Sequence, residues 1–588
     1  MQLVGVLLLL SCSSVLADQE WWRTGVFYQI YPKSFMDSDN DGMGDIKGIE
    51  SKLDYLEYIG VSAVWLSPIF KSPQVDGGYD IADFYDIDPM FGTIDDLKAL
   101  IAAIQARGIK ILLDFVPNHT SDQHAWFTKS INKEENYTDF YVWANSSGTD
   151  PSNPIPPNNW QSNFTGPAWT WNEKRQQFYL HQFSEHQPDL NFRDPGVIQA
   201  MKDMMTFWLN AGVDGFRGDA VKFLVEVKNL TDEPVIDPSQ PVDFNNLLHI
   251  FTENQDETLT VIQGWSDLIA GFNNQDNKQR VLLLEVYNAI NDIMKYYGGS
   301  NSTFTFPFNF HLLECITGGM TAVNLTDNIN DWMNAMPAGA TASWVVGNHD
   351  NLRVANRAGI EMVDSLNMML AMLPGMMVTY NGDEFGMTDT FLRYDETKDP
   401  RGYNLGPDDY VIGSRDPART PLQWDTSVNA GFSKNTTTWL PVNPNYWYLN
   451  VAAQSSAALS HLNVYRQLTQ MRKSSIFQST TTGFSVQALT NYTLIIKRWS
   501  GVDTAILIMN LASYQETTIL TVPNITQMVV SVASINSGYS TGDVVQLSQG
   551  VSLRPKAAVI LQNLASSAAP LTVSFLLLCV SLFMLVLN

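Results

Sequence analysis

The chain has 588 residues, 45% of them hydrophobic and 11% aromatic, with a formal net charge of −25. That length exceeds one simple core and implies a large domain with satellites. The acidic balance excludes nucleic-acid binding, which needs Lys and Arg clustered on one face, and favours neutral substrates over polyanions.

Met1 to Ala17 is a short apolar stretch centred on Leu3 to Leu10 and closing on Val15-Leu16-Ala17 before the polar start Asp18-Gln19-Glu20, which reads as a signal peptide over 1–17. Apolar or aromatic runs then recur at Gly25 to Ile30, Ser62 to Leu66, Ile109 to Phe115, Val213 to Phe216, Val281 to Val286, Phe304 to Phe310, Trp344 to Gly347 and Met376 to Tyr380. Helical spacings separate several of them. Leu97, Leu100, Ile101 and Ile104 fall at i, i+3, i+4 and i+7, with Thr93 as a cap and Gly108 as a stop. Val197, Met201, Met204 and Trp208 repeat the pattern up to Gly212. Eight buried strands alternating with helices define an α/β (β/α)8 TIM barrel, over 18–115 and 188–475.

Two regions break the alternation. Residues 116–187, rich in Trp, Asn and Pro, exceed an ordinary connection and read as a small inserted domain covering the site. Residues 476–562 carry short β-branched runs such as Thr493-Leu494-Ile495-Ile496 and read as a C-terminal all-β sandwich. Over 563–588, small residues Ala565-Ser566-Ser567-Ala568-Ala569 precede an apolar tail with no Lys or Arg behind it, the pattern of a GPI-anchor signal whose tail is removed; a spanning helix is the alternative. The expected location is the extracellular face of the plasma membrane. Of the cysteines Cys12, Cys315 and Cys579, two fall in segments expected to be cut away, so no intrachain disulfide is expected and Cys315 reads as a small buried residue. Sequons at Asn136, Asn145, Asn163, Asn229, Asn301, Asn324, Asn435, Asn491 and Asn524 agree with secretion; Asn118-His119-Thr120 also matches but lies at a strand end.

Three of the apolar runs lead into carboxylates: Asp219, Glu285 and Asp350. An acid at the mouth of an apolar strand is not core filling, because an unpaired buried charge costs several kcal/mol. The C-terminal strand ends are where a (β/α)8 barrel places its active site. A retaining glycosidase needs two carboxyls about 5 Å apart, a nucleophile and an acid that later becomes base. Arg217, two residues before Asp219 on the same strand face, favours an ionised Asp219 as nucleophile; the apolar run before Glu285 favours a raised pKa and the acid role. Asp350 is then the stabiliser of oxocarbenium-like charge, and His349 and His119 are neutral donors to sugar hydroxyls.

The motifs Asp114-Phe115-Val116-Pro117-Asn118-His119, Gly215-Phe216-Arg217-Gly218-Asp219-Ala220-Val221, Leu283-Leu284-Glu285-Val286-Tyr287 and Gly347-Asn348-His349-Asp350 resemble glycoside hydrolase family 13, the α-amylase clan, and within it the insect maltase-like α-glucosidases. Gln187-Pro188-Asp189-Leu190-Asn191 resembles the oligosaccharide-cleaving branch. The resemblance implies Asp219 as nucleophile, Glu285 as acid/base and Asp350 as stabiliser. It adds Tyr79 as platform under the bound glucose, Asp80 and Arg419 closing the pocket, and Phe164 and Phe183 as a lid. It implies a retaining, exo-acting α-glucosidase that takes terminal α-1,4-linked glucose from maltose, short maltooligosaccharides and sucrose.

Asp37-Ser38-Asp39-Asn40-Asp41-Gly42-Met43-Gly44-Asp45 places oxygens at alternate positions around a glycine turn, as a hard cation requires. Gly48 stands where an EF-hand would have Glu, so the reading is an isolated structural Ca2+ loop of Asp37, Asp39, Asp41 and Asp45, completed by the Met43 carbonyl as in related family members; no organic cofactor is implied. Two positions depart from the family pattern: Gly218 replaces a branched apolar residue, leaving a core gap that would loosen the nucleophile, and Lys222 stands where Pro or a small residue is expected, near the leaving sugar. The alternatives are a membrane-anchored glycoprotein acting as receptor or docking module for an external protein ligand, and an endo-acting α-amylase. The oligomeric state is open.

Overall fold

The computed structural model describes residues 20–298, 304–478 and 482–563. The leader and the apolar tail lie outside them; among the described residues no helix is long and apolar enough to cross a membrane.

Eight parallel strands form the centre: β1 (Val26–Ile30), β2 (Ala63–Leu66), β3 (Lys110–Phe115), β4 (Gly215–Gly218), β5 (Val281–Leu284), β6 (Thr305–Pro307), β7 (Ser343–Val345) and β8 (Met376–Tyr380). They pair in the order β6-β5-β4-β3-β2-β1-β8-β7, and a parallel bridge between Asn309 and Trp344 joins the two ends. Val281 to Leu284 are fully buried, because helices cover one face of each strand and the barrel interior the other. The fourth strand starts two residues later than the sequence implies: Val213 N–H still bonds the helical carbonyl of Trp208, so pairing begins at Gly215.

Helix α1 (Ile94–Ala106) opens on a capping box between Thr93 and Asp96 and buries Leu97, Leu100, Ile101 and Ile104. Helix α2 (Pro195–Ala211) starts on an Asp194 cap and ends at Gly212, whose φ of 108° only glycine adopts freely. Between β3 and α2 lies a three-stranded sheet of Trp143–Ala144, Trp169–Asn172 and Gln177–Leu180 with its own core around Trp160 and Trp169.

After the barrel a six-stranded antiparallel sheet follows, built from β9 (Gly483–Ala488), β10 (Thr493–Ser500), β11 (Asp503–Asn510), β12 (Gln527–Ala533), β13 (Val544–Gln546) and β14 (Ala558–Asn563). Alternation along its strands serves two cores. Leu494, Ile496, Leu507 and Met509 join the barrel's core, while Ile495, Ile506 and Ile508 pack beneath a two-stranded sheet of Glu516–Thr518 and Val551–Leu553. Asp364 of α3 (Val363–Met372) pins this domain to the barrel, accepting the Ile535 N–H at 2.8 Å while its other oxygen lies 2.7 Å from His461 Nδ1 on α4 (His461–Met471).

Candidate active site

The three carboxylates sit just past the C-terminal ends of β4, β5 and β7. Asp219 N–H donates to Phe115 O at 2.8 Å and Glu285 N–H to Gly218 O at 2.9 Å, so the barrel ladder itself fixes where both side chains begin. Ala220 then takes a left-handed backbone (φ 48°), turning the chain off the strand directly behind Asp219. The Arg217 guanidinium is buried among the acids: Nη1 donates to Asp114 at 2.9 Å and to Asp219 at 2.5 Å, and Nη2 donates to Glu285. Gly218 leaves no void, because a Cβ there would already meet Leu284 Cδ2 and Val221 Cγ1 at 3.1 Å.

Asp219 and Glu285 thus share one guanidinium, which holds the two carboxyls side by side. Burial raises Glu285; Arg217 opposes this, but the charges of Asp219 and Asp350 push it further. Burial raises Asp219 too, against the expectation that Arg217 would dominate, yet Arg217 and the bond from Glu285 hold it back. The proton of the pair therefore belongs to Glu285. At Asp350 burial works against the charge, but the His349 edge and the Arg415, Arg419 and Arg217 guanidiniums outweigh it and hold the carboxyl well below its usual range.

His349 is buried and neutral, burial having driven its pKa well below the usual value. Gln29 Nε2 lies 2.7 Å from its Nδ1, which places the proton on Nε2, 2.7 Å from the Tyr79 hydroxyl and 3.4 Å from Asp350; Tyr79 in turn donates to Asp114 at 3.1 Å. The Tyr79 ring stacks on His349 at 5.3 Å and 5°. His119, also neutral through burial, points Nε2 at the Tyr79 carbonyl at 3.1 Å.

These groups line a cavity of about 380 Å³ that also includes Phe164 and Phe183, packed edge to face at 5.6 Å. Asp80 and Arg419 do not line it. The Asp80 oxygens accept Val75 N–H, Asp76 N–H and the Ser72 hydroxyl, and thus shape the loop under Tyr79; Arg419 braces Asp350 and the His349 carbonyl from outside the cavity. The lining pair is Asp76 and Arg415, joined at 2.7 Å, with Arg415 also bonded to Asp350 at 3.2 Å and Asp399 at 2.6 Å. Both missed residues lie four positions before those chosen. Lys222 lines the cavity too, its Nζ 2.8 Å from Glu253.

In the acidic loop, carboxylate oxygens of Asp37, Asp39 and Asp45 lie within 4.8 Å of one another. Asp41 falls outside that group, its Oδ1 accepting Met43 N–H at 2.7 Å. Asp39 is raised by burial and by the charges of Asp41, Asp45 and Asp37. Three clustered oxygens that repel one another fit a hard cation. Cys315 is only partly buried, and Asn118 is buried with its amide donating to Asp189, which closes that sequon to a glycan.

Residues 29–481 match the family described as alpha amylase, catalytic domain. The chain is 44% identical to Maltase A1 of Drosophila melanogaster, covering 92% of this chain and 96% of that one. It is 46% identical to the salivary alpha-glucosidase of Anopheles gambiae over 77% of this chain and 78% of that one. Among solved structures an alpha-glucosyl transfer enzyme superposes with a TM-score of 0.82 at 30% identity, covering 92% of this chain and 99% of that chain. The match spans the barrel, all three strand-end carboxylates and most of the chain's length, and the protein belongs to the α-amylase family.

Proposed function

We propose that the protein is a retaining α-glucosidase that removes the terminal non-reducing glucose from maltose and short maltooligosaccharides, with Asp219, Glu285 and Asp350 as its catalytic acids. The observation that carries this is the single Arg217 guanidinium shared by Asp219 and Glu285, one nitrogen on each, beside a cavity walled by the Asp76–Arg415 ion pair. Inverting enzymes hold their carboxyls roughly 6.5–9.5 Å apart to seat a water; carboxyls bridged by one guanidinium leave no such room.

In the first step Asp219 attacks C1 while Glu285 gives its proton to the departing oxygen. In the second, Glu285 takes a proton from water as the water displaces Asp219. Arg217 keeps the nucleophile ionised between attacks, and Asp350, ionised throughout, faces the positive charge that develops on the sugar ring. Tyr79 and Phe164 offer ring faces to glucose, and Asp76 with Arg415 binds its far hydroxyls. An endo-acting amylase requires a groove open at both ends, which the ion pair argues against.

The loop of Asp37, Asp39 and Asp45 is assigned a structural Ca2+, with Asp41 and the Met43 carbonyl as further ligands on small movement. Secretion follows from the leader and from the salivary relatives; a GPI anchor at the cell surface is supported by the small residues and uncharged apolar tail. Anomer analysis by NMR tests the mechanism: α-glucose as first product is expected, and β-glucose overturns it. Release from cells by phosphatidylinositol-specific phospholipase C tests the anchor, and protein retained after treatment favours a spanning tail.

A further inference from the structure

A second cavity, of about 400 Å³, is distinct from that of the catalytic acids, and the two share no lining residue. Its wall includes Tyr31 and Lys33 after β1, Gln74 and Gly77 after β2, Arg419 after β8, and Trp439. Tyr31, Lys33 and Arg419 are only 2%, 5% and 2% exposed. Among the described residues the Lys33 ammonium forms no ion pair or hydrogen bond; its contact is the Trp439 ring, whose centre lies 5.2 Å from Nζ. The Tyr31 hydroxyl and Gln74 Oε1 are likewise buried without a partner among the described residues. Arg419 directs Nε to the His349 carbonyl and Nη2 to Asp350, which leaves Nη1 without a hydrogen-bond acceptor among them.

A buried ammonium is costly unless something compensates it, and the acids in this wall are engaged elsewhere. Asp416 Oδ2 accepts the N–H groups of Lys398 and Asp399 at 2.6 and 2.9 Å, and Asp399 holds Arg415. Burial, reinforced by Arg419, lowers Lys33 to about 8 although Asp80, Asp88 and Asp416 pull the other way. Two of the remaining donors converge. A Cβ built on Gly77 would stand 3.0 Å from the Tyr31 hydroxyl and 3.7 Å from Arg419 Nη1, so glycine, at φ 61°, keeps open a corner that both reach. Much of the other lining is apolar: Met43, Met90, and the Tyr31 and Trp439 rings, stacked 5.9 Å apart at 21°.

We infer that this cavity is a second binding site, for a small organic carboxylate: the carboxylate oxygens take the Lys33 ammonium, the Tyr31 hydroxyl and Arg419 Nη1, and the carbon skeleton lies against the methionines and rings. An ionised carboxyl offers two acceptor oxygens to such a set of donors. A bare halide matches the space poorly, since one water occupies about 30 Å³ of liquid and the cavity is far larger. The occupant does not meet the sugar. Arg419 joins the two cavities, lining this one and bonding Asp350 in the wall of the other.

Titration calorimetry with sodium benzoate as the probe tests this on the wild-type chain, K33M and Y31F, with benzamide as the neutral isostere and sodium chloride at equal ionic strength. Benzoate is expected to bind the wild type at one saturable site, and benzamide and chloride to give no saturable heat. K33M is expected to weaken benzoate by at least about tenfold, the scale of a lost charge-assisted hydrogen bond. No saturable binding to the wild type, benzamide binding as tightly as benzoate, or unchanged affinity in K33M each overturns the inference. Chloride saturating the site as tightly as benzoate overturns the organic class of ligand. If K33M fails to fold, Y31F decides, because it keeps the ring stack and removes only the hydroxyl: a roughly fivefold loss is expected, and unchanged affinity overturns the inference.

Discussion

Arg415 Nη2 lies 2.7 Å from Asp76 Oδ1, and this bond joins the loop after β2 to the segment after β8 across one part of the cavity wall. Arg415 spreads four guanidinium hydrogen bonds over Asp76, Asp350 and Asp399, a planar fork that lysine cannot copy. Asp76 is raised by burial and restrained by Arg415, so a polar sugar group arriving there meets an already compensated pair.

Asp76 and Asp80 therefore separate function from stability. Asp76→Asn should lower kcat/KM for maltose by at least about 100-fold, the scale of removing a charged contact in a desolvated site, with the melting temperature little changed. Asp80→Ala should do the reverse in part: three donors, one of them fully buried, lose their acceptor, which costs roughly 2–4 kcal/mol. Urea unfolding together with maltose kinetics checks both. A stable Asp80→Ala chain with maltase activity lost would return the pocket role to Asp80.

The sequence made the barrel readable because parallel strands covered on both faces must be almost wholly apolar, as Val281 to Leu284 are. The acids were readable for the complementary reason, that charge at the end of such a strand has no place in a core. The choice between Asp76 and Asp80 was not, since both flank the same turn and only the backbone path decides which faces the cavity. Arg415 and Arg419 lie at either end of the short turn Asp416–Ala418 and both reach Asp350 Oδ1, at 3.2 and 2.9 Å. Motif position cannot tell the cavity side of that carboxylate from its back.

The rate should be bell-shaped in pH. Activity needs Asp219 ionised and Glu285 protonated, so kcat/KM falls on the acid side as Asp219 takes a proton and on the alkaline side as Glu285, raised by burial, loses one. Asp350, held well below the usual range, contributes nothing to the acid limb near neutrality. An aryl glucoside with a good leaving group needs less acid help, so its alkaline limb should weaken relative to maltose. Identical alkaline limbs for the two substrates would remove Glu285 from the acid role.

Chelation should reach stability before catalysis. Asp45 caps the helix Ile46–Ser51 through Gly48 N–H, and the loop contacts Phe432 through Asp37 N–H, so a cation there fastens local structure away from the three acids. Excess EGTA is expected to lower the melting temperature and added Ca2+ to restore it, by the mass-action relation between ligand and folded state. Asp39→Ala separates cation binding from simple repulsion. With a bound cation the variant melts lower and ceases to respond to EGTA; in an empty loop it relieves repulsion and melts no lower.

Asp364 is the joint between barrel and C-terminal sheet. One oxygen lies 2.7 Å from His461 Nδ1 and the other accepts Ile535 N–H; Asp364 and His461 are both buried and Ile535 is half-buried. Asp364→Ala leaves two polar groups without a partner at once, so it should cost about 3–5 kcal/mol, the range for breaking a buried pair. The shared core of Leu494, Ile496, Leu507 and Met509 with the barrel implies that the two domains unfold together. A single cooperative transition shifted to lower urea is therefore expected. Two separated transitions in the variant would mean instead that Asp364 alone couples the domains, and that the sheet retains a stable core of its own around Ile506 and Val559 once that joint is gone.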